Sequence, residues 1–305
     1  MDFCLIEHPP LIAPEGFGSL TSANVGPDQE ACCLWVPTPG DPAAGESNRG
    51  RFGAVATQQD GVGAVWQITE LNGPMPQVPT TQPHPLGWIV VGRRRRGGED
   101  NALVFGPSGK RLGAGRVGDG IEQVHTTHDG SLWVSYFDEG VFAEDDGRGT
   151  GGNVAAAGCV RWDVAIDATG VCGIKPAWRL SYPQMADCYA MNVTDRMAYV
   201  CPYVGFPVIV VEQGRQRELA NAEVAGARAM VIDGQRMALI GAYGRREAVF
   251  LGVMEEGRFR VTRVSAWRAT GADPSRLLLV GRGDRLHAFS LDGSGRWWSG
   301  SIGQL

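Results

Sequence analysis

"IEQVHTTHDGSLWVSYFDEGVF", residues 121–142, sets two short runs rich in Val, Ile, Leu and aromatic residues on either side of an Asp-Gly turn. Such a pair between apolar runs marks a hairpin, because glycine adopts the left-handed backbone that a tight turn requires. With the turn at His128-Asp129-Gly130, strand alternation predicts Thr127 opposite Ser131, His125 opposite Trp133, Gln123 opposite Ser135 and Ile121 opposite Phe137. Glu122 then falls beside Asp138 and Glu139, at the end of the hairpin away from the turn.

The pattern repeats. "QVPTT" at 77–81 matches "QVHTT" at 123–127, and each leads through a turn into a Trp-containing run, "GWIVVG" and "LWVSYF". Downstream, "RMAYV" at 196–200, "RMALI" at 236–240 and "RLLLV" at 276–280 recur at a spacing of 40 residues. Each is followed by a further β-run and a hairpin, as in "FPVIVVEQGRQREL" and "EAVFLGVMEEGRFRV". Few windows keep a 3.6-residue period, and Gly, Pro and Asp-Gly punctuate the short runs, so the chain reads as all-β.

Self-similarity at about 40 residues, with four strands per unit, is the pattern of a β-propeller blade. The fold expected is a single propeller domain over residues 1–305, with six four-stranded blades favoured and seven as the alternative. The units fall at roughly 17–69, 75–117, 121–175, 186–220, 225–264 and 265–299. Residues 2–12 are left to supply a ring-closing strand or part of a further blade; closure removes the open edges on which strand-rich chains aggregate. Residues 121–142 also resemble the repeat of two-component-regulator and related NHL-like propellers, in which "DG" precedes "LW" and a glycine follows. Here these positions are Asp129, Gly130, Leu132, Trp133 and Gly140. The stretch is similar, too, to bacterial propellers containing "YFDEGV". Both resemblances imply a fold and carry over no catalytic residue.

Charge is balanced, with Lys+Arg 28, Asp+Glu 33 and a net charge of −5, so no overall basic field draws nucleic acid. The beginning, "MDFCLIEHPPL", lacks the basic and apolar segments of a signal peptide, and no run approaches the roughly 20 apolar residues that span a bilayer. The seven cysteines are scattered without a C-x-x-C pair, which suits reduced thiols in the cytoplasm and argues against structural zinc.

The loops between the second and third strands of each unit hold Arg93 to Arg96, Asp138 and Glu139, Gly205 and Phe206, Arg245 and Arg246, and Asp284 and Arg285, a patchwork of charge of both signs. The loop over 139–157 is much the longest, and long loops on a rigid scaffold are where binding sites sit, although a glycine-rich insertion accounts for it equally. The candidate ligand-binding residues are Glu122, His125, Asp138, Glu139, Asp187, Tyr189, Arg228 and Arg245. Asp138 and Glu139 could hold a cation or act in acid–base chemistry with Glu122; a solvated turn accounts for the same pair. Arg93 to Arg96 could grip an anion, or be a solvated hairpin balanced by Glu99 and Asp100.

His125 and His128 lie three apart, which on a strand turns them to opposite sides. Trp35, Trp88 and Trp133 occupy matching places and are expected to pack between blades. Cys188 and Cys201 are nucleophiles only beside an activating base. "GAGRVG" at 113–118 has no helix after it and is not a dinucleotide loop; "RGD" at 282–284 and "NVT" at 192–194 are coincidences.

Two functions fit. One is a binding or scaffold propeller presenting its loop-rich face to a protein or peptide. The other is a six-bladed enzyme, hydrolase-, lactonase- or cyclase-like, with its pocket at the channel mouth; a small-molecule sensor would use the same pocket. No cofactor is expected. Calcium is the alternative: it takes about 6–8 oxygens, and Glu122 and Asp187 near the starts of inner strands would supply some of them with water completing the set.

Overall fold

The computed structural model describes residues 2–37, 51–58, 67–95, 97–144 and 152–304. Arg96 and residues 145–151, part of the arginine run and of the long loop singled out above, lie outside the described residues. The chain divides into two compact units, one of residues 12–179 and one of residues 1–11 with 180–305. No described helix is long and apolar enough to cross a membrane.

Nearly every element is a strand. The chain opens with β1 (Phe3–Glu7) and then runs β2 (Ser19–Val25), β3 (Ala31–Val36), β4 (Arg51–Gln58) and β5 (Gln67–Asn72). Next come β6 (Pro79–His84), β7 (Gly87–Gly92), β8 (Ala102–Phe105) and β9 (Arg111–Gly115), followed by β10 (Ile121–Thr126) and β11 (Leu132–Tyr136). A single helical turn, α1 (Asp138–Val141), and a 3-10 turn over Val154–Ala157 precede β12 (Cys159–Ile166) and β13 (Cys172–Arg179). In the other unit lie β14 (Asp187–Val193), β15 (Met197–Tyr203), β16 (Val208–Glu212) and β17 (Arg215–Leu219). They are followed by β18 (Ala229–Asp233), β19 (Arg236–Ile240), β20 (Ala248–Glu255) and β21 (Arg258–Ala269), then β22 (Leu277–Arg282), β23 (Arg285–Ser290) and β24 (Trp297–Ser301).

In the unit of residues 12–179, β2–β5, β6–β9 and β10–β13 are antiparallel meanders. The outer strands β9 and β13 meet in parallel at Gly113 and Cys172, where a Cβ on the glycine would lie 2.6 Å from that of Cys172. Side chains stitch the first strands together. Asn24 Nδ2 donates to Thr80 Oγ1 at 3.1 Å and to Val124 O at 3.0 Å, while Gln82 Nε2 donates to Val25 O and Gln82 Oε1 accepts from Thr126 N. These bonds satisfy polar groups that would otherwise be costly to bury. As the sequence indicates, Trp35, Trp88 and Trp133 are buried, and Trp88 packs on Leu34, Val55 and Leu71 of the preceding meander.

In the other unit, β14–β17 and β18–β21 are meanders, and β22–β24 take β1 as their fourth strand. Ile6 lies opposite Ser299 and Glu7 opposite Trp298, and the other edge of β1 runs parallel to β21, with Phe3 opposite Trp267. Phe3, Leu5, Trp267, Trp298 and Leu286 share one buried cluster. Asn192 joins three elements here, donating to Met230 O and Gly283 O and accepting from Gly283 N.

Three details differ from the sequence reading. Asp284 and Arg285 lie at the turn between β22 and β23, a first and a second strand, not between a second and a third. Ile121 pairs with Tyr136, not Phe137, because Glu122 is an extra residue in a β-bulge; Gln123–Ser135 and His125–Trp133 pair as the alternation requires. Strand β21 also runs through the 264/265 boundary as far as Ala269.

Candidate functional site

Three of the first strands begin with the same irregularity. A register shift leaves Thr21 extra between Leu20 and Ser22, Glu122 between Ile121 and Gln123, and Tyr189 between Cys188 and Ala190. A bulge bends its strand and re-aims a side chain, so these positions escape simple alternation. Glu122 and Tyr189 are both candidates from the sequence.

Around Glu122, in the unit of residues 12–179, the arginine run meets the acids. Arg93 Nη2 donates to Glu122 Oε2 at 3.1 Å and Arg93 Nε to Ile121 O at 2.9 Å. Arg94 pairs with Glu139, lies 3.5 Å from Asp119 and sits over the Phe137 ring at 5.6 Å. The carboxylate of Glu139 holds the Arg94 guanidinium above its usual range. Asp138 and Glu139 are not a plain turn: they open α1, and Asp138 Oδ1 accepts from Glu139 N. This end of the unit is therefore largely self-neutralised, and exposed pairs of this kind contribute little to stability.

Asn153, which the sequence did not flag, ties the described ends of the long loop together. Its Nδ2 donates to the carbonyls of Gly140, Val141 and Ala143, and its Oδ1 accepts from Ala155 N.

In the other unit, Asp187, Tyr189, Arg228 and Arg245 gather around an aromatic cluster. Asp187 opens β14 opposite Tyr203. Tyr189 meets Tyr203, Phe206 and Tyr243 at ring separations of 6.0, 5.4 and 5.8 Å, and Phe206 also meets Tyr203 and Tyr243. The Tyr189 and Tyr243 hydroxyls share a hydrogen bond of 2.5 Å. Burial, the Tyr243 bond and the charge of Asp187 hold the Tyr189 phenol above its usual range, so it stays protonated. Arg245 stacks on Phe250 at 5.1 Å, and the Arg228 stem lies along Gly241. Tyr203, Val204 and Tyr243 are exposed, Tyr243 to 56 %. The sequence reading named Tyr189 but missed Tyr203 and Tyr243, whose loops carry no signal until the meanders bring them together.

The remaining candidates are buried or locally bonded. His125 is buried in β10, whereas His128 is exposed with its Nε2 2.9 Å from Asp28, so the two do not form one ligand pair. Cys188 and Cys201 are fully buried, and burial pushes the Cys201 thiol up to about 12, away from the thiolate a nucleophile requires. Asn192 of "NVT" and Arg282 of "RGD" are buried. Among the described residues no three His, Cys, Asp or Glu side chains group as metal ligands.

No family model matches the chain, and no curated protein resembles it in sequence. Solved structures do resemble it. Hsv2 of Kluyveromyces lactis is 8 % identical over 89 % of this chain and 70 % of that chain, with a TM-score of 0.50. Virginiamycin B lyase of Staphylococcus aureus is 10 % identical over 98 % and 99 %, with a TM-score of 0.46. The PQQ-bound aldose sugar dehydrogenase of Streptomyces coelicolor is 10 % identical over 97 % of each chain, with a TM-score of 0.48. At such identities the likeness speaks to fold alone. With its four-stranded meanders and near absence of helix, the chain is an all-β protein of the β-propeller class.

Proposed function

We propose that this protein is a binding module that docks a protein or peptide on the aromatic surface formed by Tyr189, Tyr203, Phe206 and Tyr243. The observation that carries this reading is the exposure of Tyr203, Val204 and Tyr243 over buried Phe206. Tyrosine and arginine lead the residues that anchor interfaces, since they present large apolar area with a polar tip at low entropic cost. The acidic end around Glu122 supports catalysis less well, because Arg93 and Arg94 already occupy the carboxylates of Glu122 and Glu139. A calcium ion there would have to displace both guanidiniums.

Peptide display on the immobilised full chain, followed by affinity measurement, tests the reading. The selected peptides are expected to lose about tenfold or more in affinity to a Tyr203→Ala/Tyr243→Ala variant of unchanged melting temperature. Selection of no binding sequence, or binding indifferent to both substitutions, overturns it.

A further inference from the structure

We infer that the aromatic surface takes an acidic segment, a peptide carrying carboxylates next to an apolar or aromatic residue. The inference rests on the docking reading above and adds the chemistry of the partner.

The Tyr189 and Tyr243 hydroxyls have two protons between them, and their mutual bond uses one. No other described residue bonds either hydroxyl, so one O–H is left to donate to an acceptor from outside.

Charge points the same way. In the tight turn closed by bonds between Ala242 and Arg245, Tyr243 is followed by Arg245 and Arg246. Among the described residues neither guanidinium has a carboxylate partner; Arg245 lies on the Phe250 ring. The neighbouring acid, Glu247, is taken by Arg268 Nη1 at 2.7 Å. Asp187 is the acid beside the rings. The local excess is positive although the whole chain is net negative, at −5. Guanidinium groups bind carboxylates bidentately, and a phenol adds a neutral donor beside them. A basic peptide would meet like charge, which costs affinity and slows encounter. Exposed Tyr203 and Val204 complete the surface with an apolar contact.

The test uses the full chain and three labelled peptide sets on one Pro/Phe-containing scaffold, bearing Asp and Glu, Asn and Gln, or Lys. Fluorescence anisotropy at low and high salt is the readout. The acidic set is expected to bind, the amide set about tenfold more weakly, and the Lys set weakest. An Arg245→Gln/Arg246→Gln variant is expected to lose about tenfold for the acidic set and to flatten its salt dependence, with an unchanged thermal melt. Tyr243→Phe, which removes one hydroxyl and keeps the ring, is expected to lose about two- to fivefold. If the amide or Lys set binds as tightly as the acidic set while Tyr203→Ala/Tyr243→Ala still abolishes binding, the acidic partner is wrong and the docking surface stands. If no set binds, or binding survives Tyr203→Ala/Tyr243→Ala, both readings fall.

Discussion

His287 shows how much a single residue can hide. It lies in β23 opposite Ser299, fully buried beside Phe289 and Trp297, and neither ring nitrogen has a hydrogen-bond partner among the described residues. Burial first, then the nearby charges of Arg285 and His8, depress its pKa to about 3 from an unfolded value near 6.5. Between those values the unfolded chain binds a proton that the native ring refuses. Stability is therefore whole above about pH 6.5 and falls as pH drops towards 3. Burial depresses His84 in the same direction, although its Nε2 donates to Gly130 O and its Nδ1 accepts from Leu86 N. Urea midpoints measured from pH 7 to pH 3.5 should decline more steeply for the native chain than for His287→Phe, which keeps an aromatic ring and removes the unpaired nitrogens. Parallel slopes would contradict this account. Nothing in "RLHAFS" marks this histidine, because a lone His in a strand reads the same whether it is solvated or buried.

At the scale of elements, bulges and the long loop decide the candidate sites. Alternation read from the Asp129-Gly130 turn gave the right partners for His125 and Gln123, since pairing near a turn follows directly from its geometry. It failed at Glu122, because an inserted residue is a property of the pairing and not of local propensity. Among the described residues, Asn153 ties together the two ends of the loop beyond α1. Asn153→Ala removes the donor to three carbonyls and the acceptor for Ala155 N, and is expected to cost about 1–3 kcal/mol in chemical denaturation. Asn153→Asp, which keeps the acceptor and loses the donors, should recover only part of that. A loss below about 0.5 kcal/mol for the alanine variant would mean that the loop closes by other means.

At the scale of the whole molecule, β1 joins the beginning of the chain to β24 and β21 near its end. Phe3 and Leu5 are almost fully buried in the cluster with Trp267 and Trp298, and each contributes about 1.5–3 kcal/mol by burial. Glu7 adds an exposed pair to Arg296 at 2.8 Å. Removing residues 1–8 should lower the denaturation midpoint sharply and promote aggregation through the uncovered edge of β24, and a synthetic peptide of residues 1–11 should restore it. A truncated chain as stable as the whole would overturn this role for β1.

The sequence by itself determined the class. A spacing of 40 residues, Asp-Gly turns and period-two runs require a repeated sheet, since each unit has one apolar pattern that only neighbouring strands can bury. It also pointed to the loop ends where charge collects, and Arg245 was named from there. The tertiary structure alone decided the rest: that Arg93 and Arg94 neutralise Glu122 and Glu139, and that Tyr203, Phe206 and Tyr243 converge on Tyr189. Local propensity follows from a few consecutive residues, but which charges cancel and which rings meet depends on contacts between residues 14 to 54 positions apart.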